Sequence, residues 1–81
     1  MPTKLLRTDR IVGTKQTLKA LEAGEVKLVY LAKDADTRIT EPVIERCKQM
    51  GIEIEYVETM AELGRACGID VGAAVACLLK K

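Results

Sequence analysis

The chain has 81 residues, 48% of them hydrophobic and 31% charged, with a formal net charge of +1. That length makes one domain over residues 1–81, and the ordinary apolar content argues against disorder. No His, Phe or Trp occurs and only two tyrosines do, which removes His-based acid–base pairs and argues against stacking bases on exposed rings.

No apolar run reaches bilayer length and the N-terminus lacks the apolar segment of a signal peptide, so the chain reads as cytoplasmic with no membrane partner. Cys47, Cys67 and Cys77 are odd in number and lack CxxC spacing. Each lies among aliphatic residues, so buried, reduced thiols are expected and a metal site is not. The small net charge hides a pattern. Residues 1–20 carry Lys4, Arg7, Arg10, Lys15 and Lys19 against Asp9, a balance of +4. Residues 21–64 carry five basic and ten acidic side chains, a balance of −5, and residues 65–81 return to +2. Folding that joins the two basic ends would create one positive face.

In chain order, Thr3 is a candidate cap for a short helix over residues 3–9, with Leu5 and Leu6 turned inward. Ile11 and Val12 read as a brief strand ending at Gly13. A helix follows over 14–23, with Leu18 and Leu21 inside and Gly24 as its left-handed stop. Val26 to Ala32 is nearly continuous apolar sequence, the pattern of a strand covered on both faces. Lys33 to Asp36 form the loop that leaves it. The next helix carries Ile39, Val43, Ile44 and Cys47 at helical spacing and ends at Met50-Gly51. Thr40 is the expected cap of its main part, with Pro42 in the first turn. Residues 52–57 alternate apolar and acidic, a strand with one solvated face. Thr59 and Glu62 fit a capping box for a helix that carries Leu63 and Ala66 and stops at Gly68. Residues 73–79 complete the pattern as a buried strand. Alternating strands and helices with short connections give an α/β fold, a compact three-layer α/β/α sandwich.

Three stretches invite a chemical reading. Gly13-Thr14-Lys15-Gln16-Thr17-Leu18-Lys19 opens a helix whose first N–H groups face outward, and Lys15 and Lys19 share a face four residues apart. Such an end suits phosphate and a base edge, and it equally suits the solvated outer face of an amphipathic helix. The Walker spacing G-x-x-x-x-G-K-[ST] is absent, which argues against a nucleotide hydrolase. Asp34 and Asp36 follow a buried strand, as magnesium or phosphoacceptor carboxylates do, but loop carboxylates that cap the next helix explain them more simply. Leu63-Gly64-Arg65-Ala66-Cys67-Gly68-Ile69-Asp70-Val71-Gly72 sets Ile69 and Val71 in a glycine-bracketed turn. These two side chains either fold back onto the core or form a small apolar contact for an unstacked base or a protein. No catalytic constellation and no cofactor site emerges, so the chain is not expected to be an enzyme.

The blocks 13–19, 28–34 (Leu-Val-Tyr-Leu-Ala-Lys-Asp) and 63–71 together resemble the ribosomal L-seven-Ae family of kink-turn RNA-binding proteins. The likeness covers essentially the whole chain in order and is strongest to the small bacterial members of the YbxF type. The resemblance implies a mixed four-stranded sheet and a first helix that enters the widened major groove beside tandem G·A pairs. It implies that Lys15, Gln16 and Lys19 meet guanine edges and phosphates, and that Gly13 and Thr14 supply the backbone approach. Ile69, Asp70 and Val71 fall in the loop that packs on flipped-out bases, and Arg65 lies near enough to be a candidate phosphate contact. Archaeal and eukaryotic members usually carry Asn-Glu where this chain, like bacterial relatives, has Lys15-Gln16. The implied partner is a structured RNA, ribosomal or riboswitch, bound by a monomer. A protein-interaction module of a ribonucleoprotein or stress-response complex, using the acidic helix around Glu41 and Glu45, is the alternative from a different class.

Overall fold

The structure is a computed structural model that describes residues 10–80. The helix expected over residues 3–9 lies outside the described residues. The elements are β1 (Arg10–Val12), α1 (Thr14–Glu22), β2 (Val26–Ala32), α2 (Thr37–Met50), β3 (Glu53–Val57), α3 (Met60–Ala66) and β4 (Val75–Leu79). The strands form one mixed sheet in the order β1-β4-β2-β3, with β2 and β3 parallel and β4 antiparallel to both β1 and β2.

β2 is central and covered on both faces, as its apolar run demands. Val29 and Leu31 face α1 and α2 together with Val75 and Cys77 of β4, against Ala20, Leu21, Val43 and Cys47. Leu28, Tyr30 and Ala32 face the other way with Ala76 and Leu78, against Leu63 and Ala66 of α3 and Cys67 just after it. Two helices on one face and one on the other make the three layers, and each fully buried Leu or Val contributes about 1.5–3 kcal/mol. Val26 packs on the α1–α2 side although Leu28, two residues on, does not. A register shift opposite β4 between Val26 and Leu28 explains the change: a bulge at Lys27 turns the strand over.

The start of α2 differs from the expectation. Asp36, not Thr40, is the cap: its Oδ1 accepts from the Arg38 N–H at 2.9 Å. A carboxylate at that end satisfies an orphan donor and meets the positive end of the helix dipole. Thr40 lies buried inside the helix and Pro42 lies beyond the first turn. β4 begins at Val75 rather than at 73, because Ala73 donates to the Met60 carbonyl and belongs to the preceding loop. Cys47, Cys67 and Cys77 are buried and unpaired, as expected.

Candidate nucleic-acid interface

β1, β2 and β3 run in one direction, so their carboxyl ends and the start of β4 meet at one end of the sheet. Four connections therefore share a rim, the usual location of sites in open α/β sheets. Backbone hydrogen bonds hold it together. Gly13 N–H donates to the Val75 carbonyl at 2.9 Å, Ala32 N–H to Ala74 at 3.0 Å and Lys33 N–H to Val57 at 2.8 Å. The first of these ties the β1–α1 turn directly to the end of the 67–74 loop. Two sequence blocks more than fifty residues apart become neighbours through that one bond.

On one side of the rim stands the start of α1. Gly13 is its N-cap at φ 113°, a conformation that an L side chain adopts only under strain. A Cβ there would meet nothing within 4 Å, so the space over the turn is open. No side chain among the described residues caps α1 and its first turn carries no acidic residue, whereas α2 and α3 are capped by Asp36 and Thr59. The first helical bond runs from Thr17 N–H to the Gly13 carbonyl. The N–H groups of Thr14, Lys15 and Gln16 therefore stand outside the helical ladder at the positive end of the dipole. Lys15, Gln16 and Lys19 are exposed, and Gly13 and Thr14 are half-buried. Thr17, Ala20 and Leu21 supply the buried face that fixes the helix roll.

On the other side stands the 67–74 loop. Ile69 and Val71, left open by their spacing, part company. Ile69 is half-buried against the core, while Val71 is 70% exposed. Asp70 and Arg65 are exposed, and with Ala61, Ile69, Val71 and Gly72 they line a shallow cleft of about 290 Å³.

Sequence reasoning missed the parts that mount this loop. Ile69 N–H donates to the Gly64 carbonyl and Ala73 N–H to the Met60 carbonyl, each at 3.0 Å. Met60 N–H in turn donates to Asp34 Oδ1 at 2.8 Å. Asp34 thus caps α3, not α2, and Thr59 Oγ1 adds a second bond from Glu62 N–H at 3.1 Å. Both rim carboxylates act as caps, the simpler of the two readings. Among the described residues no group of three His, Cys, Asp or Glu side chains is arranged for a metal ion. Lys33 also reaches the rim, where its Nζ pairs with Glu58 at 2.9 Å in an exposed contact that solvent weakens. The available sequence signal was Gly64 itself: a glycine inside a helix costs stability and implies a packing reason.

Burial pushes all three thiols above their ordinary range; Cys77 adds to the effect at Cys47, and Arg10 opposes it at Cys67. These groups are structural, and none opens onto the rim. No helix among the described residues is long and apolar enough to cross a membrane.

Residues 2–81 match the ribosomal protein L7Ae/L30e/S12e/Gadd45 family. An RNA-binding protein of Caldanaerobacter subterraneus is 55% identical over 83% of this chain and 82% of its own length. The RNA-binding protein YbxF of Geobacillus stearothermophilus is 42% identical over 95% of both chains. Large ribosomal subunit protein eL8 of Halobacterium salinarum is 40% identical over 83% of this chain and 57% of its own. Among solved structures, a 15.5 kD RNA-binding protein of Giardia lamblia superposes with a TM-score of 0.88. It is 27% identical, over 98% of this chain and 71% of the other. By sequence and by fold, the chain belongs to the ribosomal protein L7Ae/L30e/S12e/Gadd45 family.

Proposed function

We propose that this chain is a non-catalytic RNA-binding domain that recognises kink-turns, the sharply bent duplexes with tandem G·A pairs and flipped-out bases. The observation that carries the reading is the Gly13–Val75 hydrogen bond, which sets the uncapped start of α1 beside the loop that bears Val71. One surface then offers two kinds of contact. Lys15 and Lys19 neutralise phosphate, the free N–H groups of the first turn donate to an anion, and Gln16 pairs with guanine edges in the widened groove. Val71, with Ile69 and Asp70 behind it, covers an unstacked base, and Arg65 takes a nearby phosphate. The names of the bacterial relatives support RNA as the ligand class.

A ribosomal or riboswitch kink-turn bound by one copy of the chain fits this surface. The test is a binding titration with a kink-turn RNA and with the same RNA after its G·A pairs are made Watson–Crick, each at several salt concentrations. Tight, salt-dependent binding of the first and much weaker binding of the second is the expected result. Equal affinity for both would reduce the protein to a non-specific phosphate binder. No binding to either would remove RNA from the reading.

A further inference from the structure

We infer that Gly64 is a positioning residue for the RNA-reading loop: its bare Cα lets the loop seat on α3, so that Val71 is presented in a preformed position. The inference rests on the RNA-binding reading for its functional half. Gly64 lies inside α3 and is buried. A Cβ on it would collide with the Val71 carbonyl oxygen, with the Val71 carbonyl carbon at 3.0 Å and the Gly72 Cα at 3.2 Å. All three are backbone atoms, so no side-chain rotation relieves the clash; the loop itself must move. The seat is fastened at both ends by the Ile69–Gly64 and Ala73–Met60 backbone bonds. Gly72 lies close as well, since a Cβ there would come 3.1 Å from the Met60 Cβ.

A loop held at both ends and pressed on a helix has already lost its conformational freedom before RNA arrives. Binding through Val71 then avoids the ordering cost that a mobile loop would add. The helix would gain stability from alanine at position 64 if only local propensity mattered. Natural choice of glycine in a helix interior therefore has its explanation in the neighbouring loop.

The experiment compares the wild type with Gly64→Ala, Val71→Ala and the double variant. Kink-turn affinity and salt dependence are measured, together with amide exchange at Ile69 and Ala73 by nuclear magnetic resonance. Gly64→Ala should speed exchange at both amides and weaken RNA binding by about tenfold, with the salt dependence unchanged, because no phosphate contact is lost. In the Gly64→Ala background, Val71→Ala should cost little more, since the loop is already displaced. Unchanged amides with a raised melting temperature would overturn the inference. Additive losses in the double variant would overturn it too, because they would mean that Val71 still reaches the RNA. If Gly64→Ala does not fold, Gly72→Ala, which meets the Met60 side chain, applies a milder push to the same seat, and its Ile69 and Ala73 amides decide in the same way. Should wild-type protein bind no kink-turn, the function fails while the amide result still settles whether Gly64 seats the loop.

Discussion

Val71→Ala removes two methyl groups from a side chain that is 70% exposed in the free protein. Complete burial of two methyl groups is worth roughly 1.5 kcal/mol. About seven-tenths of the side chain is still open to be covered, so the loss on binding should be about 1 kcal/mol, a weakening of about fivefold. Folding should hardly notice, because an exposed truncation away from special features shifts stability by less than about 0.5 kcal/mol. Ile69→Ala is the contrasting perturbation. Ile69 is half-buried against the α3-side core cluster, so its truncation should lower stability by about 1–2 kcal/mol, short of the cost at a fully buried site. The assay pairs kink-turn titrations at fixed salt with chemical denaturation of each variant. Two results would refute the assignment of Ile69 to the core and Val71 to the RNA. One is a stability loss for Val71→Ala as large as that for Ile69→Ala. The other is unchanged RNA affinity for Val71→Ala.

Three further outcomes follow from the same geometry. Lys19→Gln should weaken binding and reduce the salt slope by about one unit, whereas Gln16→Ala should leave the slope unchanged and cost about 1–3 kcal/mol of discrimination for G·A pairs; titrations in a salt series separate the two. Gly13→Ala meets no steric contact but must hold a φ near 113°, so chemical denaturation should report a loss of about 1–2 kcal/mol. Burial raises the three thiols and Tyr30, with Glu55 and Glu53 adding to the rise at Tyr30. The folded chain thus holds these protons more tightly than the unfolded one. Its stability is complete below the unfolded thiol range and falls as pH rises past about 8.5 and on through about 10. A denaturation midpoint that stays level to pH 10.5 (roughly the top of that window) would contradict this burial, as would fast labelling of the native thiols.

The sheet was legible because its strands carry distinct patterns. The nearly continuous apolar run of Val26–Ala32 marks a strand covered on both faces, and the alternation of Ile54 with Glu53 and Glu55 marks one solvated face; the mixed four-stranded sheet was implied by the family resemblance, and the strand order was not read from the sequence. The bulge at Lys27 was not read from the sequence, although Lys27 is the one charged residue in that run. At α2, two local cap signals competed, Asp36 and Thr40, and burial of Thr40 decided between them. The candidate site divides in the same manner. Uncapped lysines after Gly13 are a local feature and could be read along the chain. The inward turn of Ile69 and the outward turn of Val71 depend on where the loop lies against α3, which spacing does not encode. Gly64 carried a signal in its position, but its meaning required the loop above it.

The sheet order also arranges charge. Gly13 and the lysines of α1 follow β1 at one edge, and β3, with exposed Glu53 and Glu55, forms the other edge. Glu53 and Glu55 of β3 therefore lie across the sheet from the cationic helix start, whereas the acidic side chains of α2 lie on the helix packed beside α1. On the proposed reading, a phosphate backbone approaching the rim is attracted at the start of α1 and repelled toward β3, a bias that would orient it before any base is contacted. Orientation matters more here than in proteins that stack bases, because Tyr30 is buried and Tyr56, 56% exposed, sits at the acidic edge. On the proposed reading, with no aromatic side chain at the start of α1, discrimination falls to a few donors and one aliphatic contact, each of short reach. Such contacts are worth little unless their mounts are fixed, and the backbone bonds of Gly13, Ile69 and Ala73 fix them.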